Sequence, residues 1–248
     1  MYVTTTSNSS EILKSSKLNQ ELSSLMTVMV NDIRRAGYAG DFLGAVSDNK
    51  FTYFDDGTTE LRNVIRVVGG NCILYAYNTD GYSEEGAVPT NDDVRGFRLN
   101  NGAVEMLRLT NVDSDVQVLN NYCSGGDVDL DGEPDWLPLT DPATTRIEAL
   151  AFNMDEGSSC LNLTLTIANG VAEYCNDYYS KYLNNDPISP SESPQSDEVI
   201  HISNQVAIEL TGELVSDETT SLTIGNADQA VNVRLRNDIL WEGPLPAL

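Results

Sequence analysis

The residues best placed to do chemistry are Asp127-Val128-Asp129-Leu130-Asp131-Gly132-Glu133-Pro134-Asp135, where carboxylates fall on alternate positions and a glycine sits sixth. A hard cation such as calcium needs about six to eight oxygens converging at about 2.4 Å, and a tight loop with ligands on every second residue wraps them inward around the glycine turn. Mapped onto an EF-hand-type loop, Asp127, Asp129, Asp131 and Asp135 are the candidate side-chain ligands and Glu133 offers its backbone carbonyl. The position of the usual bidentate Glu is Pro138, so Asp141 or a neighbouring loop is expected to complete the shell. The alternative is a solvated acidic turn. Four Asp so close together repel one another without a counter-ion, which favours calcium.

Other chemistries find less support. The four cysteines, Cys72, Cys123, Cys160 and Cys175, lack the paired spacing of a zinc site, and His201 is the one imidazole in the chain. His201 has no Gly-x-Ser-x-Gly or adjacent Cys to activate, and reads as a strand histidine with a satisfied hydrogen bond. A pair of glycosidase carboxylates cannot be singled out among 38 acidic residues. Trp136, beside the acidic loop, reads as a support packed beneath it rather than as a ligand-facing aromatic. The expectation is a non-enzymatic protein.

Charge narrows the partners. Fourteen basic against 38 acidic residues give a formal net charge of -24 over 248 residues, which argues against direct nucleic-acid binding through a basic face and points to cations or basic protein surfaces. The acids are spread through the chain rather than gathered in a tail, as on a solvated acidic surface. An even cysteine count in a loop-rich acidic chain is expected to form two disulfides in an oxidising compartment. Three pairings are possible; the one expected is Cys160 with Cys175, closing a short loop, and Cys72 with Cys123, tying a sheet to the acidic excursion. No apolar run approaches the roughly 20 residues of a membrane span.

These residues need a scaffold, and the sequence offers one long helix. Over residues 8–38, Leu18, Leu22, Leu25, Met29, Ile33 and Ala36 recur at steps of three and four, with Met26 and Val28 widening the stripe and Gly37 supplying the stop. Arg34 and Arg35 at its end suit the negative pole of the helix dipole. The early part of the helix is expected to be the more exposed, so that Leu18→Asp would spare the head while Met29→Asp would unfold it.

Short strands are expected after the helix, at 51–54, 61–68 and 72–77, then at 95–99 and 103–109 around Asn101-Gly102, a strong hairpin signal. A polar excursion at 120–142 precedes a strand at 145–152. Residues 160–167 alternate Leu161, Leu163, Leu165 and Ile167 against polar neighbours and read as the clearest half-buried strand. The Pro-rich stretch 178–198 reads as too polar to pack, with a mobile loop near 184–198; strands follow at 199–215, 222–224 and 230–236, and 241–248 reads as a tail. One helix laid on an antiparallel sheet of roughly eight strands is an α+β class, divided into a spine helix over 8–40 and a globular head over 41–248.

That arrangement resembles the type IV pilin fold, and particular stretches resemble the PilW family of minor pilins. They are Asp32-Ile33-Arg34-Arg35-Ala36-Gly37-Tyr38, Cys72-Ile73-Leu74-Tyr75-Ala76-Tyr77, Gly96-Phe97-Arg98-Leu99-Asn100-Asn101-Gly102, Trp136-Leu137-Pro138-Leu139-Thr140-Asp141-Pro142 and Val233-Arg234-Leu235-Arg236-Asn237. The resemblance implies a structural subunit that contacts other major and minor pilins through the N-terminal helix. It also implies insertion in the inner membrane through an apolar half-helix preceding the residues at hand, with the head in the periplasm, then incorporation into an extracellular pilus, in a priming or tip complex. Motility, adhesion and DNA uptake are the processes such proteins serve. A type II secretion pseudopilin would share the architecture, whereas a calcium-dependent adhesin or carbohydrate-binding module would share only the acidic loop.

Overall fold

The computed structural model describes residues 2–38, 53–55, 61–63, 65–78, 90–109, 122–125, 134–154, 157–183, 186–225, 230–235 and 238–243. Helix α1 runs Tyr2–Ile33 and is followed by turns to Gly37, whose backbone N–H donates to the Ala76 carbonyl at 2.8 Å. Leu18, Leu22, Leu25, Met26, Met29, Ile33 and Ala36 all enter one core cluster, each worth about 1.5–3 kcal/mol if a full-sized apolar side chain is removed from water. Leu18 is 0% exposed, so it belongs to the head's core and not to the outer part of the helix. Val28 is exposed, because a step of 100° from Met29 carries it off the buried face. Residues 11–17 include no buried side chain, and Ile12 and Leu13 face solvent. The helix therefore passes from open to covered at Leu18.

The head is built from antiparallel pairs. Strands β1 (Tyr53–Asp55) and β2 (Leu61–Asn63) form a two-stranded sheet. β3 (Arg66–Val68), β4 (Cys72–Ala76), β5 (Val94–Asn100), β6 (Ala103–Arg108) and β7 (Trp136–Pro138) form a five-stranded meander in that order. β8 (Thr145–Asn153) pairs with β11 (Gln205–Leu214), which also carries β12 (Asp217–Ile224) and β13 (Val231–Arg234). A third unit places β10 (Val199–Ser203) between β9 (Ser159–Asn162) and β14 (Ile239–Glu242). Helix α1 packs on β11 and β12. There Gly212 lets the helix come close: a Cβ would stand 3.0 Å from Leu22 Cδ2 and 3.2 Å from Ile147 Cδ1, and these side chains would have to give way.

All five residues of β4 are buried, since the sheet is covered on both faces: Ile73 and Tyr75 join the core beneath α1, while Cys72, Leu74 and Ala76 pack with Leu107, Tyr122 and Trp136 opposite. The Asn101-Gly102 turn joins β5 to β6 with φ of 49° and 79°, the double positive φ that such a hairpin demands. Both expected disulfides are present, Cys72–Cys123 and Cys160–Cys175.

Four expectations need correcting. The described residues hold fourteen strands rather than about eight, and two short helices besides α1. The stretch 160–167 is strand only to Asn162; helix α2 (Leu163–Asn169) follows. The ladder ends there because Asn162 already faces Ile200 near the start of β10, and the next amide of that strand, Val199 N, bonds the Thr164 hydroxyl at 2.9 Å. Asn162 then caps the helix by accepting from Leu165 N at 3.0 Å, and Gly170 closes it in the left-handed conformation. Residues 178–183 lie in helix α3 (Asn176–Leu183), whose Tyr178, Tyr179 and Tyr182 are buried against Ile200, Ile202 and Ile239. Beyond it, Glu192 pairs with Lys181 at 2.7 Å, Glu198 accepts from Asn162 Nδ2 at 2.9 Å, and Ile188 packs on the tyrosine cluster. Finally, Trp241 and Glu242 lie in β14 and not in a tail.

Candidate functional site

Of the candidate ligands, Asp127, Asp129, Asp131 and Glu133 lie outside the described residues; Asp135 lies within them and is only 2% exposed. Among the described residues no group of three or more His, Cys, Asp or Glu is arranged to hold a metal. Asp141 is exposed and accepts from Ala143 N at 2.9 Å, capping its own turn.

What is described is the base from which the acidic loop springs. On one side Tyr122 O accepts from Trp136 Nε1 at 2.9 Å, and the Cys72 disulfide fixes Cys123 to β4. On the other, Asp135 O accepts from Arg108 N at 2.9 Å and Trp136 is buried in the sheet's outer core. Arg98 links the two. Its Nη1 donates to Cys123 O at 2.9 Å and Gly125 O at 2.6 Å, its Nε pairs with Glu105 at 2.7 Å, and its guanidinium lies 4.2 Å from the centre of the Trp136 ring. Trp136 is thus buried in the sheet and holds the backbone at Tyr122, in the described segment that precedes the acidic stretch. Arg98 escaped the sequence reading of the site, although a signal existed: Arg98 and Glu105 stand at equal distance from the Asn101-Gly102 turn and must face each other across the hairpin.

A second polar constellation locks the end of α1 to β4. Asp32 accepts hydrogen bonds from Tyr75 Oη at 2.6 Å and Tyr77 Oη at 2.7 Å. Arg35 Nη1 lies 4.0 Å from Asp32 Oδ1, and its guanidinium caps the Tyr77 ring at 4.3 Å, with Arg95 on the same ring at 5.7 Å. Arg35 therefore serves the local structural role expected of it. Burial, then the hydrogen bond to the Asp32 carboxylate, pushes Tyr77 up from the usual 10 to about 12; burial and Asp32 raise Tyr75 well above its ordinary range. A raised phenol favours the folded state only while it stays protonated. This contribution is fully present below pH 10 and lost as pH rises toward about 12. An ultraviolet titration should show Tyr75 and Tyr77 resisting ionisation near pH 10 and ionising together with unfolding. Ionisation of all eleven tyrosines near pH 10 with the head still folded would contradict the lock.

His201 Nε2 lies 3.1 Å from Asp238 Oδ2, which Arg234 also approaches at 3.5 Å. Its hydrogen bond is satisfied on a strand, as expected.

Against this geometry, a family model described as prepilin peptidase-dependent protein B matches residues 11–231. The chain belongs to this family. The match begins on the exposed segment of α1 and ends in β13, so it takes in both the Asp32 lock and the Arg98 clamp. No curated protein matches the sequence. Among solved structures, a type IV-like pilin from Thermus thermophilus is similar at 15% identity, covering 93% of this chain and 96% of that one, with a TM-score of 0.29. As a member of the prepilin peptidase-dependent family the chain is a pilin-related protein of the cell envelope. Among the described residues no helix is long and apolar enough to cross a membrane.

Proposed function

We propose that this family member is a PilW-like minor pilin, a non-enzymatic structural subunit whose α1 packs among the helices of other pilins during assembly of a type IV pilus. The observation that carries the reading is the division of α1: the head covers it from Leu18 onward, while Ile12 and Leu13 are apolar and exposed on the segment before. A helix that serves only its own head has no use for apolar residues there; one that joins a bundle does. In this reading the protein awaits assembly in the inner membrane and periplasm and then enters the extracellular pilus, in its priming or tip complex. Photo-crosslinkers placed at Ile12 and Leu13 should capture pilin subunits in assembling cells, and one placed at exposed Glu11 should capture fewer. Equal yields at all three would overturn the proposal, and capture of secretion pseudopilins alone would make the chain a pseudopilin.

We further propose that Asp127, Asp129, Asp131 and Asp135, with the Glu133 carbonyl, bind one calcium ion. The support is the alternation of carboxylates around Gly132 and the clamped base at Arg98 and Trp136, which brings the two ends of the loop together. The ion would shape an exposed surface for a pilus partner and take no part in catalysis.

A further inference from the structure

The loop closed by Cys160–Cys175 forms a knob with an unusual distribution of apolar groups. Leu165, Ile167, Val171 and Tyr174 are 38%, 82%, 60% and 68% exposed. Leu165 lies about 200° around α2 from Ile167 and so off its face; Ile167, Val171 and Tyr174, each more than half exposed within eight residues of a disulfide-closed loop, are the apolar groups offered to a partner. They do not hold the knob together, because α2 buries none of its own residues. Polar groups do that instead: Thr166 Oγ1 donates to Asn162 O at 2.6 Å and accepts from Glu173 N at 3.0 Å, and Cys175 N donates to Cys160 O at 2.9 Å. The shape is thus fixed before any partner arrives, which lowers the ordering cost of binding.

Charge identifies the occupant. Between Arg146 and Lys181 the sequence contains no Lys, Arg or His, and the acidic Glu173 and Asp177 adjoin the exposed residues. Glu198, bonded to Asn162, adds a carboxylate at the start of α2. His201, opposite Leu161 in register, and Arg234 are both engaged by Asp238. A second copy would set a net charge of -24 against its equal, and an anionic lipid surface would be repelled in the same way. The complement is cationic. We propose that the knob docks into a partner protein whose surface is an apolar pocket rimmed by lysine and arginine. This inference is independent of the calcium loop and of the exposed segment of α1.

The test uses the full chain and a fluorescein-labelled amphipathic Leu/Lys helix peptide, read by anisotropy. Binding is expected to weaken about tenfold or more in the double variant Ile167→Ser with Tyr174→Ser. It should hold steady in Ile12→Ser with Leu13→Ser, and an all-Lys peptide should bind far more weakly than the amphipathic one. All four side chains are exposed, so circular dichroism should find both variants folded. The proposal is overturned if no peptide binds, if the knob variant binds as the wild type does, or if the all-Lys peptide binds equally well. Self-association of the wild type that the knob variant abolishes would also overturn it, in favour of a second copy.

Discussion

Met29→Asp should leave the head unfolded at ambient temperature. Met29 is 0% exposed and sits mid-stripe on α1, within the cluster that includes Ile147, Phe152, Ile208 and Leu210 of the sheet it packs on. The substitution forfeits about 1.5–3 kcal/mol of apolar burial. It also leaves an uncompensated buried carboxylate, which costs about 3–5 kcal/mol more. The sum approaches the whole stability of a typical domain, about 5–15 kcal/mol. Leu18→Asp should do nearly the same, because the head already covers the helix at that turn. Leu13→Asp lies about 1.4 turns before Leu18 on open helix and should change stability by no more than about 0.5 kcal/mol. Thermal melts of the three variants decide the matter. Should Met29→Asp and Leu13→Asp melt together, α1 would not be the spine of the head.

This gradient along α1 was partly legible. The three-and-four spacing of Leu18, Leu22, Leu25, Met29 and Ile33 identified the buried face, since helical periodicity is a local property. Where the cover begins is a tertiary property, set by how far β11 and β12 reach along the helix, and nothing in the stripe itself marks Leu18 as inside. The Asn101-Gly102 hairpin was legible for the same local reason: two positive φ values are cheap only for such residues. Local pattern misled at 160–167. The alternation of Leu with Asn and Thr is a strand signal, but a strand needs a ladder, and past Asn162 the one remaining residue of β10, Val199, gives its N–H to the Thr164 hydroxyl instead. With the ladder ended, the Asn162 cap and Gly170 stop win over a period of two. The polar partners were the least visible. Asp32 meets Tyr75 and Tyr77 across 43 and 45 residues, a distance at which spacing carries no information: the helix end and the strand could be read locally, but not that their polar side chains meet.

Arg98 should couple the fold to the acidic loop, so that Arg98→Met weakens both stability and calcium binding. Arg98 carries the ion pair to Glu105, two hydrogen bonds to Cys123 and Gly125 carbonyls and the contact with the Trp136 ring, all close to the foot of the loop. Methionine replaces the length of the side chain but none of these. Among the described residues Glu105 would keep only the Asn100 amide, at 3.1 Å, and breaking such a largely buried pair costs about 3–5 kcal/mol. Arg98→Lys should recover part of the loss, since it restores the charge but not the planar fork that reaches three partners at once. The Cys72–Cys123 disulfide keeps the loop attached in every variant, so a fall in affinity would report loss of shape rather than of tethering. With the proposed site in place, calcium at about 100 times its Kd should add roughly 2.7 kcal/mol of stability to the wild type, because the ion would bind the folded state alone and quench repulsion of about 1 kcal/mol per close carboxylate pair. Magnesium should substitute poorly, since it demands a tight octahedron and gives up water reluctantly. Calorimetric titration of chelator-treated protein separates the possibilities. No calcium heat, or undiminished heat in Asp129→Ala with Asp131→Ala, would reduce the motif to an acidic turn. A wild-type Kd in Arg98→Met would confine the clamp to the fold, whereas a weaker Kd restored in part by lysine would make Arg98 the residue through which the sheet sets the shape of the loop.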